Sequence, residues 1–365
     1  MGVSGWSLAV DFGTSNTAAA YRVGGGRPEA VRLSEQADQM PSAVLVGESG
    51  VVVGGAAVRA ARLDPSLFEG CPKRRLGEGE ILLGGSEFSV VDLVAAVLHQ
   101  VLVRAMRMAG GGLPSEVVLT FPQQWASGRQ GLLLLAASRA GFVAGSVRLV
   151  TEPVAAASWY AATGLNGAEP VPAGKFVSVF DFGGGTLDVA VLRSSPSGDG
   201  SFSVVAADGI DPLGGEVLDL RLQEWVLGQL RVGGHGVLLG ELLSPAGLGS
   251  LQTLREQVRL AKHELSEYES ARIPVVVGDL QAVVTVTASE FDRLVSADID
   301  AAVGLVRRTL GRAGVSPGAL HALYLTGGSS HLRLVHRRVS ELLGRAPATL
   351  HDPKLVVALG ALTVP

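Results

Sequence analysis

Two stretches of the chain share one layout: an apolar run ending in Asp-Phe-Gly, a short turn of glycines and hydroxyls, and a second apolar run. They are LAVDFGTSNTAAAYRV, from Leu8 to Val23, and VFDFGGGTLDVAVL, from Val179 to Leu192. A strand-turn-strand unit occurring twice, about 170 residues apart, implies a duplicated architecture, with two lobes related by pseudo-symmetry and a cleft between them. Taken alone, a glycine turn between alternating strands is what any hairpin requires. Three features point beyond a hairpin. Asp11 and Asp181 end apolar strands, where a carboxylate is costly unless a cation or donor meets it. Thr14, Ser15 and Thr186 add hydroxyls. Beside them, Gly183, Gly184 and Gly185 let backbone N–H groups approach an anion closely, as Gly13 does in the first turn. The combination suits a polyphosphate gripped from two sides, with a hydrated Mg²⁺ held between the two aspartates.

The 365 residues are enough for two lobes that each fold around their own core. With 47% apolar and 18% charged residues and 49 glycines, the composition is that of a soluble α/β protein, neither disordered nor fibrous. A formal net charge of −4 argues against binding a nucleic-acid backbone. The one basic run, Lys73-Arg74-Arg75, reads by itself as a solvated loop. A single cysteine, Cys71, excludes an intramolecular disulfide, points to a reducing cytoplasmic compartment and reads as a bystander. No apolar run reaches the ~18 residues that span a bilayer. Neither GxxxxGK[ST] nor HExxH occurs, so P-loop and zinc-protease readings fall away.

Alternating apolar residues predict strands over 7–11, 18–23, 30–33, 43–46 and 51–53, followed by an amphipathic helix over 91–109. SEVVLTFP is a strand, SGRQGLLLLAASRAG a helix closed by Gly141, SVRLVTEP a strand and PVAAASWYAATG a helix. Strand and helix alternate, which predicts a partly parallel sheet. The stretch 164–175 reads as a linker, after which the programme restarts. Strands over 176–181, 187–192 and 202–206 precede helices over 213–230 and 248–266. A hairpin of 273–277 with 283–286 turns around GDLQ, and a helix covers 289–310. A third glycine turn, LYLTGGSSHL, reads either as an ordinary strand-to-helix turn capped by Ser329 or Ser330, or as a backbone edge offered to a ribose or base.

This order of motifs resembles the nucleotide-binding domain of the Hsp70 chaperones, within the superfamily of actin and hexokinase. AVDFGTSNT is similar to the family's first phosphate loop, FDFGGGTLDVAVL to the second, TEPVAAA and HDPKLVVALGAL to the two connecting helices, and LTGGSSHL to the adenosine turn. PKRRLGE, and LGGEVLD followed by LAKHELS, resemble Hsp70 more specifically than the wider superfamily. The likeness covers nearly the whole chain. It implies an α/β, two-lobed actin-like ATPase fold, built from duplicated ribonuclease H-like domains with mixed sheets flanked by helices around a central nucleotide cleft. Lobe I would be 1–173 with an insert at about 35–111, and lobe II 174–352 with an insert at about 214–298. Residues 353–365 would form a helix returning to lobe I.

The resemblance also implies a function, slow ATP hydrolysis that times a conformational switch in protein folding, with ATP/ADP, Mg²⁺ and K⁺ as ligands. A J-domain co-chaperone and a nucleotide-exchange factor are the implied partners of a monomer, with neither nucleic acid nor membrane involved. Client polypeptide would bind through a region absent from this chain, because no leucine-rich linker or peptide-binding sandwich follows ALGALTVP. The chain is then either an excised ATPase domain or a stand-alone one. Residue by residue, Gly13, Thr14, Ser15 and Asn16 would meet phosphate, and Asp11 and Asp181 the Mg²⁺ water shell. Gly183, Gly184, Gly185 and Thr186 would cradle the β- and γ-phosphates. Lys73 would neutralise the γ-phosphate, Glu152 would orient water or metal, and Asp188 would support the same site. Gly215, Glu216, Lys262, Ser266, Gly327, Gly328 and Ser329 would surround the nucleoside. Pro122 and Arg129 match a relay of nucleotide state, and Arg148 a J-domain contact.

Departures concentrate on the adenosine side. Arg259 stands where the family usually has Glu, removing a ribose hydrogen bond. His263 and His331 replace two arginines that sandwich adenine, so paired imidazoles would do the stacking. Lys354 replaces Asp. Three other readings stay open: a nucleotide-sensing module with little turnover, a small-molecule kinase, and an actin-like filament protein.

Overall fold

Alternating apolar runs pair into two principal sheets in the computed structural model, which describes residues 5–35, 37–48, 50–163, 171–350 and 355–365. In the first, β1 (Trp6–Phe12) pairs antiparallel with β2 (Asn16–Val23), which also carries β3 (Glu29–Ala30) and β4 (Gln39–Pro41). On its other side β1 runs parallel to β5 (Glu116–Phe121), and β5 parallel to β6 (Val147–Thr151). The second sheet repeats this core. There β7 (Phe176–Phe182) is antiparallel to β8 (Leu187–Ser194), which is antiparallel to β9 (Phe202–Ile210), and β7 is parallel to β10 (Ala322–Thr326).

The register makes the duplication residue-for-residue. Phe12 faces Thr17 and Phe182 faces Leu187, so the turns between the last paired residues are 13–16 and 183–186. Asp11 and Asp181 therefore occupy equivalent positions at the ends of equivalent central strands.

Side-chain alternation explains the layering. Leu8, Val10 and Phe12 point into one core, with Leu93, Val94, Val97, Leu98, Val101 and Leu102 of α1 (Val90–Met108) and with α2 (Ser127–Ala140). Gly141 ends α2 in the left-handed conformation, φ 100°, where a Cβ would be strained. The intervening small residues Ala9, Ala18 and Ala20 point the other way. They meet Ala155, Ala156 and Ala157 of α3 (Glu152–Thr163) together with Val177, Val179, Ala190 and Leu192 of the second sheet. The second sheet's outer core is built on α4 (Gly215–Val232), α5 (Leu248–Glu267), α6 (Ala288–Arg312) and α7 (Arg333–Leu343). The last helix, α8 (Val356–Ala361), returns to the middle layer against α3 and the first sheet.

Several expectations need correction. Over 30–33 only Glu29–Ala30 is a strand; Val31 and Leu33 are apolar because they fill the core, not because they pair. The hairpin turns at Gly278 and Asp279, with Leu280 and Gln281 already in the strand Leu280–Thr287 opposite Ser270–Val277. Ser329 and Ser330 cap no α-helix: they sit in a 3-10 turn, Gly328–His331, and Leu332 precedes α7. Short pieces also appear that periodicity cannot reveal, the helices Gly55–Ala60, Pro72–Arg75 and Gly236–Leu242 and the hairpin of Glu80–Leu83 with Ser86–Ser89. Most of the expected linker (164–170) and Lys354 lie outside the described residues. No described helix is long and apolar enough to cross a membrane.

Candidate functional site

The two glycine turns face each other across a cleft of about 970 Å³, a volume suited to one ligand of nucleotide size. Their approach explains the glycines. A Cβ on Gly184 would lie 1.9 Å from Ser15 Oγ and 2.6 Å from Ser15 Cβ, so closeness, not an unusual φ, requires glycine. Behind the second turn, the start of α4 is bolted on by the backbone: Gly215 N donates to Gly183 O (3.0 Å) and Glu216 N to Gly184 O (2.7 Å). Ser15 Oγ donates to Glu216 Oε1 at 2.7 Å, joining the first turn to α4. The third glycine turn closes the corner. Gly327 has φ 79°, and a Cβ there would be 2.6 Å from Asp181 Oδ1, while Ser329 Oγ donates to Gly183 O (2.9 Å).

At the base of the cleft, three carboxylates, Asp11, Glu152 and Asp188, surround one ammonium, Lys73, and Asp181 lies beside those carboxylates. Lys73 comes from the short helix Pro72–Arg75 and is buried, its Nζ 2.8 Å from Glu152 Oε1. Burial works against its charge, but Glu152, Asp11 and Asp188 outweigh burial and raise its pKa. Asp11, Asp181 and Asp188 also shift upward, above the usual carboxylate range. Burial, reinforced by Glu152, lifts Asp11 to about 6 and Asp188 to about 6, and burial with Glu152 and Asp188 raises Asp181 well above its ordinary value. Thr120 Oγ1 donates to Asp11 Oδ1 (2.8 Å) and Thr186 Oγ1 to Asp188 Oδ2 (3.0 Å), fixing two of them. Buried carboxyls held this close, with a single ammonium among them, are a site that a divalent cation would relieve. Among the described residues no group of three or more His, Cys, Asp or Glu side chains could itself hold a metal ion.

On the opposite wall, Lys262 of α5 is buried, donating to Gly215 O (2.9 Å) and ion-paired with Asp219 at 2.7 Å. Burial depresses the lysine's pKa and raises the aspartate's, and each partner opposes the other's shift.

Most of the expected site residues line this one cleft: Asp11, Gly13, Thr14, Ser15, Asn16, Lys73, Glu152, Asp181, Gly183, Gly184, Thr186, Asp188, Gly215, Glu216, Lys262, His263, Gly327, Gly328 and Ser329. Gly185, Ser266 and His331 do not form its wall. Gly185 turns its carbonyl to Arg74 Nη2 (2.6 Å), and Ser266 Oγ turns back to Lys262 O (3.4 Å). His331 ends the 3-10 turn, and of the two histidines His263 lines the cleft.

Sequence reasoning missed Arg74, Asp219, Gln124 and Trp125, all on the wall. Arg74 is no solvated loop residue, since it also reaches Glu216 (3.3 Å) and Asp211 (3.3 Å). Cys71 is no bystander either: its thiol lines the cleft and donates to Glu216 (3.3 Å), and burial with Glu216 raises its pKa. Asp219 had a signal, a carboxylate on the inner face of a helix beginning with two glycines. Pro122 and Arg129 line the cleft, with Arg129 over the Trp125 ring at 5.9 Å. Arg148 lies on the far side, bonded to Glu116 (2.7 Å) and to the carbonyls of Ala361 and Val364.

Two duplicated sheets enclosing facing glycine turns over a buried carboxylate cluster define the actin-like ATPase fold class. Within it, the chain belongs to the Hsp70 family: the family model described as Hsp70 protein matches residues 73–364. It is similar to the chaperone protein DnaK of Mycoplasma mycoides subsp. mycoides SC, 28% identical over 362 residues, covering 97% of this chain and 58% of that protein. The chaperone protein DnaK of Thermotoga neapolitana is 28% identical over 365 residues, with the same shares covered. The chain thus spans a little over half the length of these relatives.

Proposed function

We propose that the chain binds ATP and ADP with Mg²⁺ and hydrolyses ATP slowly, as the nucleotide-driven switch of a chaperone-type process. The observation that carries this reading is the pairing of two glycine turns with a buried, carboxylate-rich base. Backbone N–H groups there suit phosphate oxygens, but the carboxylates would repel a polyphosphate unless a cation sits between them. Asp11 and Asp181 fit a hydrated Mg²⁺, which, when bound, neutralises charge on the phosphate oxygens. In this reading Lys73, kept protonated by its acidic neighbours, neutralises the terminal phosphoryl group. Glu152 fixes the lysine's position. Asp188, oriented by Thr186, takes up the proton that an attacking water loses. Phosphoryl transfer asks mainly for such positioning and neutralisation.

J-domain and exchange-factor partners, a K⁺ ion, a monomeric state, a cytoplasmic location and the lobe boundaries expected above belong to the same proposal, with similarity to the DnaK chaperones as their support. Steady-state phosphate release from ATP tests it. A Lys73→Ala variant should lose turnover by on the order of a hundredfold while still binding MgADP, with circular dichroism as the check on folding. Turnover indistinguishable from that variant, with MgATP bound, would instead favour the nucleotide-sensing reading.

A further inference from the structure

Beyond the polyphosphate clamp the cleft continues along α5, and there its charge changes sign. Arg255 and Arg259 both line it, one helical turn apart, with Lys262 almost one turn further on the same face. Lys262 is spent, since its Nζ holds Gly215 O and Asp219. The two arginines make no hydrogen bond or ion pair among the described residues, and both are exposed to the cleft. Asp219 attracts Arg259 through space, but the carboxylates of this wall are bonded to other groups. Asp219 is held by Lys262, Glu256 by Arg62, and Glu216 by Ser15 and Arg74. Like charges one turn apart repel, so this arrangement costs something unless an anion joins it. Guanidinium pairs are suited to phosphate, which they grip through two parallel N–H···O bonds.

Distance decides which phosphate. In the nucleotide reading the glycine turns take the 5′ polyphosphate, and Lys262, bonded to Gly215 next to Gly184, stands at the edge of that clamp, where the sugar would follow. Arg259 lies about 4.5 Å along the helix axis from Lys262, and Arg255 about 6 Å further. That is the reach of a substituent on the ribose and too short for a second ligand. An arginine near the ribose is also what accommodates a ribose phosphate in dinucleotide-binding folds.

We propose that this cleft prefers a nucleotide that carries a phosphate on its ribose, at the 2′ or 3′ oxygen, with Arg255 and Arg259 as its seat. The proposal rests on the nucleotide-binding reading above and names the ligand class of the same cleft.

The test is titration of the whole chain with Mg²⁺ and three ligands, ADP, ADP bearing a 2′-phosphate and ADP bearing a 3′-phosphate, by calorimetry at two salt concentrations. One ribose-phosphorylated ligand should bind at least about tenfold more tightly than ADP, and the preference should shrink at the higher salt. In Arg259→Gln and in the double variant with Arg255→Gln, the ratio should fall towards one, thermal unfolding without ligand showing that both are folded. If ADP binds and both phosphorylated forms bind no more tightly, the ribose-phosphate seat is overturned and the nucleotide reading stands. If none of the three binds, both fall together.

Discussion

Between about pH 4 and pH 6, Asp11 and Asp188 carry protons in the ligand-free native state that the unfolded chain sheds, and Asp181 is shifted the same way, because burial and Glu152 raise their pKa values. The sign of the consequence is fixed by linkage: where the native state binds more protons, stability falls as pH rises. The contribution of Asp11 and Asp188 is fully present below about pH 4 and is lost as pH climbs through about 6, their folded value, and that of Asp181 is lost in the same direction. Thermal unfolding of the ligand-free chain at pH 5 and pH 7.5 should show the lower midpoint at pH 7.5. Asp11→Asn removes one of these charges, so it should raise the midpoint at pH 7.5 by roughly 3–6 °C, flatten the pH dependence and abolish Mg²⁺-dependent gain in nucleotide affinity. A second residue-scale prediction concerns Gly184. Its alanine variant sets a methyl against Ser15, whose hydroxyl Glu216 already holds, so MgADP affinity should fall at least about tenfold. Adding Ser15→Gly frees the space, and recovery of part of that loss would identify the clash as the cause. Asp11 and Asp181 were legible in the sequence because a charge ending an apolar strand is anomalous. Arg74 was not, since an arginine in a basic run is ordinary until the fold brings it to the cleft, and Asp219 carried only the faint signal of a carboxylate soon after two glycines that start a helix.

At the scale of elements, the crossing of α3 and α8 shows what the repeated small residues are for. A Cβ on Gly360 would lie 1.9 Å from Ala155 O and 2.9 Å from Trp159 Cβ, so the helices meet backbone to backbone. Alanine there must push them apart, and overpacking of this kind costs about 1–3 kcal/mol. Gly228, inside α4, has open space where a Cβ would sit, with nothing within 4 Å; alanine there should stabilise by about 0.5–1 kcal/mol through helix propensity and chain entropy. Chemical denaturation of Gly360→Ala and Gly228→Ala should therefore move the midpoint in opposite directions. α3 was legible as a helix from its proline start and glycine end, and α8 only through the family resemblance. That they cross each other was not, because periodicity reports which face is buried and nothing about against what. The short pieces between 55 and 89 escaped for a related reason: four- to six-residue segments hold too few positions for a period to show.

For the molecule as a whole, duplication was the legible part, and the register of the two turns made it residue-for-residue. The contacts that hold the halves together across the cleft carry no such signature. Two are arginines from the first half. Arg62 pairs with Glu256 at the mouth, where its side chain is 45% exposed. Arg74 lies deeper and bonds three groups of the second half, Gly185 O at 2.6 Å, Glu216 and Asp211. Magnitude separates them. An exposed ion pair contributes about 0–1 kcal/mol, whereas a charge-assisted bond to a carbonyl, made beside a partly buried carboxylate, contributes about 1.5–3 kcal/mol. Since changes at one interface act mostly on dissociation, release of a fluorescent ADP chased with excess ADP in stopped flow should report the difference. Arg74→Gln should speed release by about tenfold or more, and Arg62→Gln by no more than about fivefold. The reverse order would mean that the mouth, and not the deep strap, holds the halves closed over the nucleotide.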